Sequence, residues 1–316
     1  MSAIEPQHQS APETSPHSER IYLDNAATTP LDPAIAQEML KVACHHFGNP
    51  SSRHSLGLEA EQLLRRARRD VGARLGLAES GVVFTSGATE ALAMAILGCG
   101  RQQRRPGHVL VSAVEHPAVR ETAFLLTRDG HEVEAIAVDE DGRVDLEALR
   151  RQLRPETFLV AVMLVNNEVG TVQPVGRIAR AVKRERPRCR ILVDMVQAFG
   201  VLDTDMERLG ADLVAISAHK CHGPKGVGAL GIAKGVSIAP LWAGGGQERG
   251  QRAGTENVAG IVGLGLAAKA GKGDPERYEA FGEQLLGAVR EAWPGAEALV
   301  EARHRAPHIL AVTLPG

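Results

Sequence analysis

The sequence predicts an α/β fold in which a mostly parallel sheet is covered by helices on both faces. Short apolar runs that are typical of strands alternate with helical patterns from about residue 59 to residue 269. The strand-like runs are apolar at consecutive positions, as expected for strands buried on both faces. The chain has 316 residues, of which 44% are hydrophobic, so it is long enough for one large domain and a smaller part.

The individual elements follow from the hydrophobic periodicity. Strands are predicted at residues 82–85, 108–112, 132–138, 158–165, 191–194, 213–217 and 228–233. Helices are predicted at residues 58–75, 90–97, 118–127, 146–153, 175–185 and 257–269. Because ligands of such sheets bind at the carboxyl ends of strands, functional residues are expected at those ends.

Composition divides the chain into three parts. Residues 1–20 are rich in Ser, Pro, His and Glu and are predicted to form a disordered tail, and residues 21–270 are predicted to form the large domain. A linker follows, in which Asp274 is the expected N-cap of a helix that runs to about residue 292. With a strand at residues 308–314, this helix begins a small α+β domain over residues 271–316, which is too short for an independent core.

The bulk properties exclude several function classes. The net charge of −2 gives no reason to expect nucleic acid or an anionic membrane as a partner, and only 3% of the residues are aromatic. The four cysteines, Cys44, Cys99, Cys189 and Cys221, lack the spacing of a disulfide framework or a zinc knuckle. Neither a secretory signal nor an apolar run of about 18 residues is recognisable, so no membrane span and a cytoplasmic location are expected.

Two ionisable residues follow apolar runs near the middle of the chain. Asp194 ends the run at residues 190–194, and Lys220 follows the run at residues 212–219. A buried carboxylate or ammonium group is costly unless it has a partner. Pyridoxal phosphate would partner both, because its aldehyde forms a Schiff base with a lysine and its ring nitrogen pairs with an acid.

Other interpretations of this region stay open. Asp194 has the residue type of a helix N-cap, although that role does not account for Lys220, and residues 217–226 also suit a basic surface loop. A zinc site is conceivable, but its spacing matches no familiar metal motif; its ligands would be His219, Cys221 and His222.

Two motifs after predicted strands have both a functional and a structural interpretation. Residues 85–90 join a strand to a helix, where free amides and the helix dipole favour an anion, but the same residues suit a capping box. His116 would stack on a planar ring and exchange protons, or it would cap the helix that Pro117 starts.

Two further motifs are equally open. Asn166 and Asn167 follow a strongly apolar strand and would hold a phenolic oxygen or a carboxylate, or form a plain turn. The Gly-rich residues 244–255 would cradle an anion through Arg252 and Thr255, or serve as a flexible linker.

Together with Tyr22–Pro30 and Phe47–Ser52, these motifs resemble those of the cysteine desulfurases. These proteins are class-V, fold-type I pyridoxal-phosphate enzymes of the nitrogenase and iron–sulfur-cluster type. The resemblance begins near Ile21, continues to the end of the chain and keeps the order of the family's motifs. It implies the fold-type I architecture with an incomplete small domain.

The resemblance implies roles for individual residues. Lys220 would form the Schiff base with pyridoxal phosphate, Asp194 would pair with the pyridine nitrogen, and Gln197 would pair with the ring hydroxyl. His116 would stack on the ring and move protons, and Asn167 would lie near the ring and the substrate carboxylate. The phosphate group would be held by Ala88, Thr89, Ser217 and His219.

The resemblance also implies a reaction and partners. L-cysteine would be the substrate and L-alanine the product, while the sulfur would leave as an enzyme persulfide for iron–sulfur cluster or thio-cofactor assembly. A sulfur-acceptor or scaffold protein would then receive it. Thr255 would reach the phosphate of a partner subunit, which implies a homodimer with shared sites.

The chain departs from the family pattern in two ways. Family members normally continue further, into a loop with the persulfide cysteine and an arginine for the substrate carboxylate, so we expect a truncated chain that mobilises little sulfur by itself. Met195 and Val196 replace smaller residues, and Met195 is placed to crowd the ring, whereas Cys221 is expected to point away from it. The alternatives are another class-V activity, such as a selenocysteine lyase or an aminotransferase-like enzyme, and a non-catalytic scaffold.

Overall fold

The computed structural model describes residues 21–271 and 273–315, so the predicted tail at residues 1–20 lies outside the described part. Its main sheet has seven strands: β1 (Val82–Thr85), β2 (His108–Ser112), β3 (Glu132–Ile136), β4 (Thr157–Met163), β5 (Arg190–Asp194), β6 (Leu213–Ser217) and β7 (Gly228–Ile232). The strand order is β1-β7-β6-β5-β4-β2-β3. Neighbours are parallel from β3 to β6, and β7 runs antiparallel between β6 and β1. The predicted, mostly parallel sheet is therefore confirmed.

The helices are α1 (Pro33–His45), α2 (Ser55–Leu75), α3 (Ala88–Arg101), α4 (Pro117–Leu125), α5 (Leu146–Gln152), α6 (Val175–Glu185), α7 (Met206–Leu209), α8 (Val258–Ala270) and α9 (Pro275–Ala292). The sequence analysis does not predict α1 and α7. A recognisable signal does precede α1, because Asp32 caps its first amides and Pro33 occupies its first position. The single turn α7 is too short to produce a periodic pattern.

Alternate residues of each strand point to opposite faces of the sheet, and both faces are covered. Val82 and Phe84 belong to an apolar core with residues of α2, α5, α6 and α8, whereas Val83 belongs to a second core with residues of α3 and α4. The consecutive apolar positions in the strands are explained by these two cores. Among residues 21–271 and 273–315, no helix is both long and apolar enough to cross a membrane.

A small antiparallel pair, β8 (Glu297–Ala298) and β9 (Val312–Thr313), follows α9. The N-cap prediction for α9 is confirmed, because Asp274 accepts a hydrogen bond from the amide of Arg277. The strand at residues 308–314 is shorter in the structure than predicted, since only two of its residues pair with β8. This part contacts the large sheet region through the amide of Ala306, which donates to the carbonyl oxygen of Gly170 at 2.8 Å. The domain boundary near residue 270 stays a prediction.

Candidate active site

A cavity of about 830 Å³ opens at the carboxyl edge of the parallel strands. The predicted site residues that line this cavity are Ala88, Thr89, His116, Asn167, Asp194, Gln197, Ser217, His219 and Lys220. Thr255 is exposed and is not among the described residues that line the cavity. The expectation that functional side chains meet at strand ends therefore matches the geometry, with Thr255 lying elsewhere on the surface.

Lys220 lies one turn beyond β6 and is half-buried in the cavity wall. Its amine donates a hydrogen bond to the carbonyl oxygen of Ala26 at 2.5 Å. Burial lowers the pKa of the Lys220 amine, while the negative charges of Asp194 and Asp24 oppose this change. A lowered pKa increases the fraction of free amine at neutral pH, which is the form that attacks a carbonyl group.

Asp194 ends β5 on the floor of the cavity and is only 7% exposed. One of its oxygens accepts a hydrogen bond from the amide of Val196 at 2.9 Å. Burial raises the pKa of Asp194, and the Val196 amide, His116 and Lys220 act in the opposite direction. A buried acid with a raised pKa fits a cationic partner such as a protonated ring nitrogen, because that charge would stabilise the carboxylate.

The expectation that Met195 crowds the ring is wrong. Met195 is fully buried in the core formed with α2, α6 and α8, and it is the side chain of Val196 that lines the cavity. The chain turns directly after Asp194, and Asp194 accepts a hydrogen bond inside this turn. No α-helix begins there in the described chain, so the alternative role of Asp194 as a helix N-cap is also wrong.

The N-terminal segment at residues 24–29 closes one side of the cavity. The carbonyl oxygen of Ala26 accepts hydrogen bonds from both Lys220 and Gln197, the latter at 2.8 Å. Thr29 fastens the segment, because its amide and its hydroxyl donate to the carbonyl oxygen of His219 at 2.8 and 3.0 Å. The sequence analysis singles out this motif but assigns no role to Asp24 or Ala26, since their partners lie almost 200 positions away.

His116 caps α4, as its structural interpretation predicts, and its ring also lies at the cavity, where its functional interpretation places it. Its Nδ1 atom accepts a hydrogen bond from the amide of Ala118 at 3.1 Å, so it caps α4, and its ring also lines the cavity. Because Nδ1 is an acceptor, the neutral ring carries its proton on Nε2. The capping bond thus sets the tautomer of a ring that is exposed to the cavity.

The two neighbouring asparagines have different positions. Asn166 is buried and forms the turn, because its side-chain oxygen accepts from the amides of Glu168 and Val169 at 2.9 and 3.0 Å. Asn167 points into the cavity. The turn interpretation therefore describes Asn166, and the ligand interpretation remains for Asn167.

The junction of β1 and α3 has the features that favour an anion, and we call it the anion site. No side chain caps α3 at Gly87, so the dipole and first amides of the helix face the cavity beside Ser217. The close approach of β7 needs glycine, because a Cβ atom on Gly228 would lie 2.7 Å from the Cα atom of Gly87. Lys225, which the sequence analysis does not assign, also lines this end of the cavity.

His219 lies beside this anion site. Burial lowers the pKa of His219, and the positive charges of Lys220 and Lys225 lower it further, so the ring is neutral at pH 7. The zinc alternative finds no support in the geometry, because the three side chains hydrogen-bond to different groups: His219 to Thr28, Cys221 to the Ala218 carbonyl oxygen and His222 to the Pro30 carbonyl oxygen.

The Gly-rich loop at residues 244–255 is tied to the body of the protein rather than free. Arg252 donates to Glu90 at 2.7 Å, and Glu90 also accepts from the amide of Ser86 at 2.7 Å. Arg252 is therefore paired with a carboxylate of the same chain, and its role as an anion ligand stays a prediction. The bond from the Ser86 amide to Glu90 resembles one half of the capping-box interpretation, but the other half is absent, because the N-cap is Gly87 and the Ser86 side chain does not cap the helix.

A sequence profile of the aminotransferase class-V family matches residues 21–314. The chain belongs to this family. Two relatives are a Bacillus subtilis IscS 1 protein, 41% identical over 94% of this chain and 79% of the relative, and the cysteine desulfurase of Bradyrhizobium diazoefficiens, 44% identical over 86% of this chain and 68% of the relative. The cysteine desulfurase IscS 1 of Archaeoglobus fulgidus is 43% identical, and the matched region spans 64% of that relative.

Two solved structures are similar to the chain over most of its length. A NifS-like protein superposes with a TM-score of 0.89 at 38% identity, covering 93% of this chain and 82% of the other. A structure described as SspA in complex with cysteine has a TM-score of 0.85 at 31% identity, covering 93% of this chain and 83% of the other. The fold-type I architecture and the resemblance to cysteine desulfurases are thereby confirmed.

The cysteines of this class-V chain, all four of which lie in the described part, do not line the cavity. Cys221 follows Lys220 but points away from it, donates to the carbonyl oxygen of Ala218 and packs against Gly200. Burial raises the pKa of the Cys221 thiol to about 12, so the nucleophilic thiolate is scarce at neutral pH.

We therefore expect Cys221→Ser to leave turnover by this class-V chain within about twofold of the unmodified protein. The measurement is the rate of alanine release from L-cysteine by the cofactor-loaded protein. A loss of tenfold or more, at unchanged thermal stability, would assign Cys221 a chemical role that its burial and its orientation argue against.

Proposed function

We propose that this chain is a pyridoxal-phosphate-dependent cysteine desulfurase, which removes sulfur from L-cysteine and yields L-alanine. One observation carries the proposal: Lys220, Asp194 and the uncapped N-terminus of α3 face the same cavity. An amine, a buried acid and an anion site match the aldehyde, the ring nitrogen and the phosphate of this cofactor. When bound, the cofactor supplies a covalent attachment point and an electron-withdrawing ring.

Lys220 and Asp194 would have different roles toward the cofactor. Lys220 would attach the cofactor through its amine, which its lowered pKa makes available. Asp194 would keep the ring nitrogen protonated, because a buried carboxylate in this position is stabilised by an adjacent positive charge. Gln197, which donates to Ala26, would offer the same amide to the ring hydroxyl.

His116 would move a proton at Nε2. Its Nδ1 atom is engaged by the Ala118 amide, so Nε2 is the atom that exchanges protons with groups in the cavity. Removal of the proton from the substrate Cα and delivery of a proton to Cβ require a base and an acid in this space. The free amine of Lys220 is the second group that can accept and return a proton there.

Ala88, Thr89, Ser217 and His219 would hold the phosphate group. The first two supply amides at the N-terminus of α3, and the other two lie at the end of β6. Thr255 would act on the phosphate bound by a second copy of the chain, which makes a homodimer part of the proposal. Its exposed position outside its own cavity supports this assignment.

The sulfur atom needs a thiol acceptor. Transfer breaks the Cβ–S bond of the substrate, forms an S–S bond on a cysteine thiolate as a persulfide, and places a proton on Cβ. Cys99, Cys189 and Cys221 are poor acceptors because burial raises the pKa of each thiol to about 12. We propose that the acceptor cysteine comes from outside the cavity wall and passes sulfur to an acceptor or scaffold protein for iron–sulfur cluster or thio-cofactor assembly.

The decisive experiment combines purified protein, pyridoxal phosphate, L-cysteine and dithiothreitol as the sulfur-accepting thiol. Dithiothreitol takes the place of a persulfide cysteine, so the expectation that the chain mobilises little sulfur by itself does not apply to this assay. We expect alanine and sulfide in equal amounts, and we expect Asp194→Asn to reduce this rate by roughly 10²–10³-fold, because a neutral amide does not stabilise the protonated ring. Alanine that forms from selenocysteine but not from cysteine would favour a selenocysteine lyase. A 2-oxo acid product would favour an aminotransferase-like reaction.

The scaffold alternative has its own readout. A protein that binds the cofactor but exchanges no Cα proton of any amino acid with deuterated water would be non-catalytic. That result would overturn the proposed function while leaving the cofactor assignment intact.

A further inference from the structure

Glu115 is a buried acid next to the candidate active site to which the proposed reaction assigns no role. It lies in the turn after β2 and is only 3% exposed. One of its oxygens, Oε1, accepts hydrogen bonds from the Ser112 hydroxyl at 2.5 Å and from the Met163 amide at 2.6 Å. These donors belong to β2 and β4, so one carboxyl group ties the turn to the end of the neighbouring strand.

This link joins two site residues. His116 directly follows Glu115 in the chain, and Met163 pairs in register with Asp194 of β5. Met163 itself also lines the cavity. Glu115 is therefore the chain neighbour of His116, and its carboxyl group bonds to the strand that lies next to the strand of Asp194.

The surroundings of Glu115 favour an uncharged carboxyl group. No Lys or Arg side chain within the described ranges forms an ion pair with it, and its second oxygen, Oε2, is buried without a hydrogen-bond partner. The titratable group that acts on it is Asp194, which is also acidic. A buried carboxylate without a cation is unfavourable, and a second negative charge beside Asp194 makes it more so.

We propose that Glu115 is a positioning residue whose uncharged carboxyl group holds the His116 turn against β4 and leaves Asp194 as the ionised acid at the floor of the cavity. The part that concerns the reaction rests on the proposed function. Burial, reinforced by the charge of Asp194, raises the pKa of Glu115 to about 8, which is the direction that the geometry implies.

The charge state is tested first, without cofactor and without activity. Thermal midpoints are measured from about pH 5 to about pH 9 for the unmodified protein, Glu115→Gln and the exposed control Glu121→Gln. In the folded protein Glu115 keeps a proton that the unfolded chain releases above its ordinary pKa. Protonation of Glu115 therefore adds to the free energy of unfolding at low pH, and this contribution is lost as the pH rises toward the pKa of Glu115 in the folded protein, near 8.

The midpoint of Glu115→Gln relative to the unmodified protein should consequently rise between about pH 5 and about pH 8 and level off above that range. The difference for Glu121→Gln should stay flat over the whole range. A flat difference for Glu115→Gln would mean that Glu115 is ionised throughout, and the proposal would then be abandoned.

The positioning role is tested with the loaded enzyme. Glu115→Ala removes the acceptor for Ser112 and Met163, and we expect kcat to fall about tenfold or more with little change in KM. Glu115→Gln keeps an oxygen acceptor and no charge, so it should restore most of the lost kcat. Equal losses for the alanine and glutamine variants would show that a charged carboxylate is required and would overturn the inference.

These outcomes separate the inference from the proposed function. If the unmodified protein releases no alanine, the proposed function fails, while the pH dependence of the thermal midpoint still decides the charge state of Glu115. If the unmodified protein is active but the glutamine variant behaves like the alanine variant, the inference about Glu115 fails alone.

Discussion

Lys220→Ala is expected to lose covalent attachment of pyridoxal phosphate and to reduce alanine formation by a factor on the order of 10³ or more. Burial lowers the pKa of this amine, which donates a hydrogen bond to Ala26 and is affected by the charge of Asp194. Removing it deletes both the attachment point and a group that can accept the Cα proton. The variant should still bind the cofactor weakly, since the anion site at α3 remains.

The measurement is borohydride reduction of the loaded protein followed by intact-mass analysis. The unmodified protein should gain the mass of one reduced cofactor per chain, and Lys220→Ala should gain none. Lys225→Ala is the matched control, because Lys225 lines the same cavity and is exposed. A cofactor adduct on Lys220→Ala would transfer the assignment to another lysine.

Glu248→Gln is expected to lower the free energy of unfolding by about 3–5 kcal/mol. Glu248 and Arg68 form a bidentate ion pair with two contacts of 2.7 Å, and their side chains are 2% and 10% exposed. The neutral amide would leave the guanidinium group buried without a counter-charge. It would also weaken the bond from the Phe84 amide to Glu248, which is 2.9 Å long.

The same ion pair holds an unfavourable backbone. Glu248 and Arg249 have φ angles of +46° and +59°, a backbone region that residues other than glycine rarely adopt. Such a conformation persists where the surroundings enforce it, and here the bonds of Glu248 and Arg249 to β1 and its flank supply that constraint. Loss of the pair should therefore loosen the Gly-rich loop that carries Thr255.

Urea unfolding of Glu248→Gln is compared with that of Glu61→Gln. Glu61 pairs with Arg65 at 2.7 Å one turn earlier on α2, but the two side chains are 38% and 62% exposed, so its loss should cost less than about 1 kcal/mol. Similar losses in both variants would show that burial adds nothing to the Arg68–Glu248 pair. Replacing both partners by apolar residues, in Arg68→Met/Glu248→Leu, should recover part of the stability.

The strands and most helices follow from local patterns. All seven strands of the main sheet coincide with predicted strands. Burial on both faces makes consecutive positions apolar in most of them, whereas the edge strand β3 contains Glu132 and Glu134 and is largely exposed. The order of the strands and the antiparallel direction of β7 have no such local signature. They depend on contacts between residues that are far apart in the chain.

The candidate site shows the same division. Lys220 and Asp194 are recognisable because each is a charged residue at the end of an apolar run, and a charge there needs a partner. The role of Ala26 is not recognisable, because its carbonyl oxygen acts on Lys220 across 194 positions. Arg252 shows a second contact that the sequence does not reveal, since its residue type suggests an anion ligand and the fold pairs it with Glu90.

The sequence by itself determined the class of fold, the strand ends at which chemistry occurs and the residues that resemble a cofactor site. Only the tertiary structure decided that Met195 packs into the core, that Glu248 is neutralised by Arg68 and that Glu115 has no Lys or Arg partner among the described residues. The physical reason is that hydrophobic periodicity depends only on residues that are close in the sequence. Burial and charge pairing, in contrast, depend on which distant segments the fold brings together.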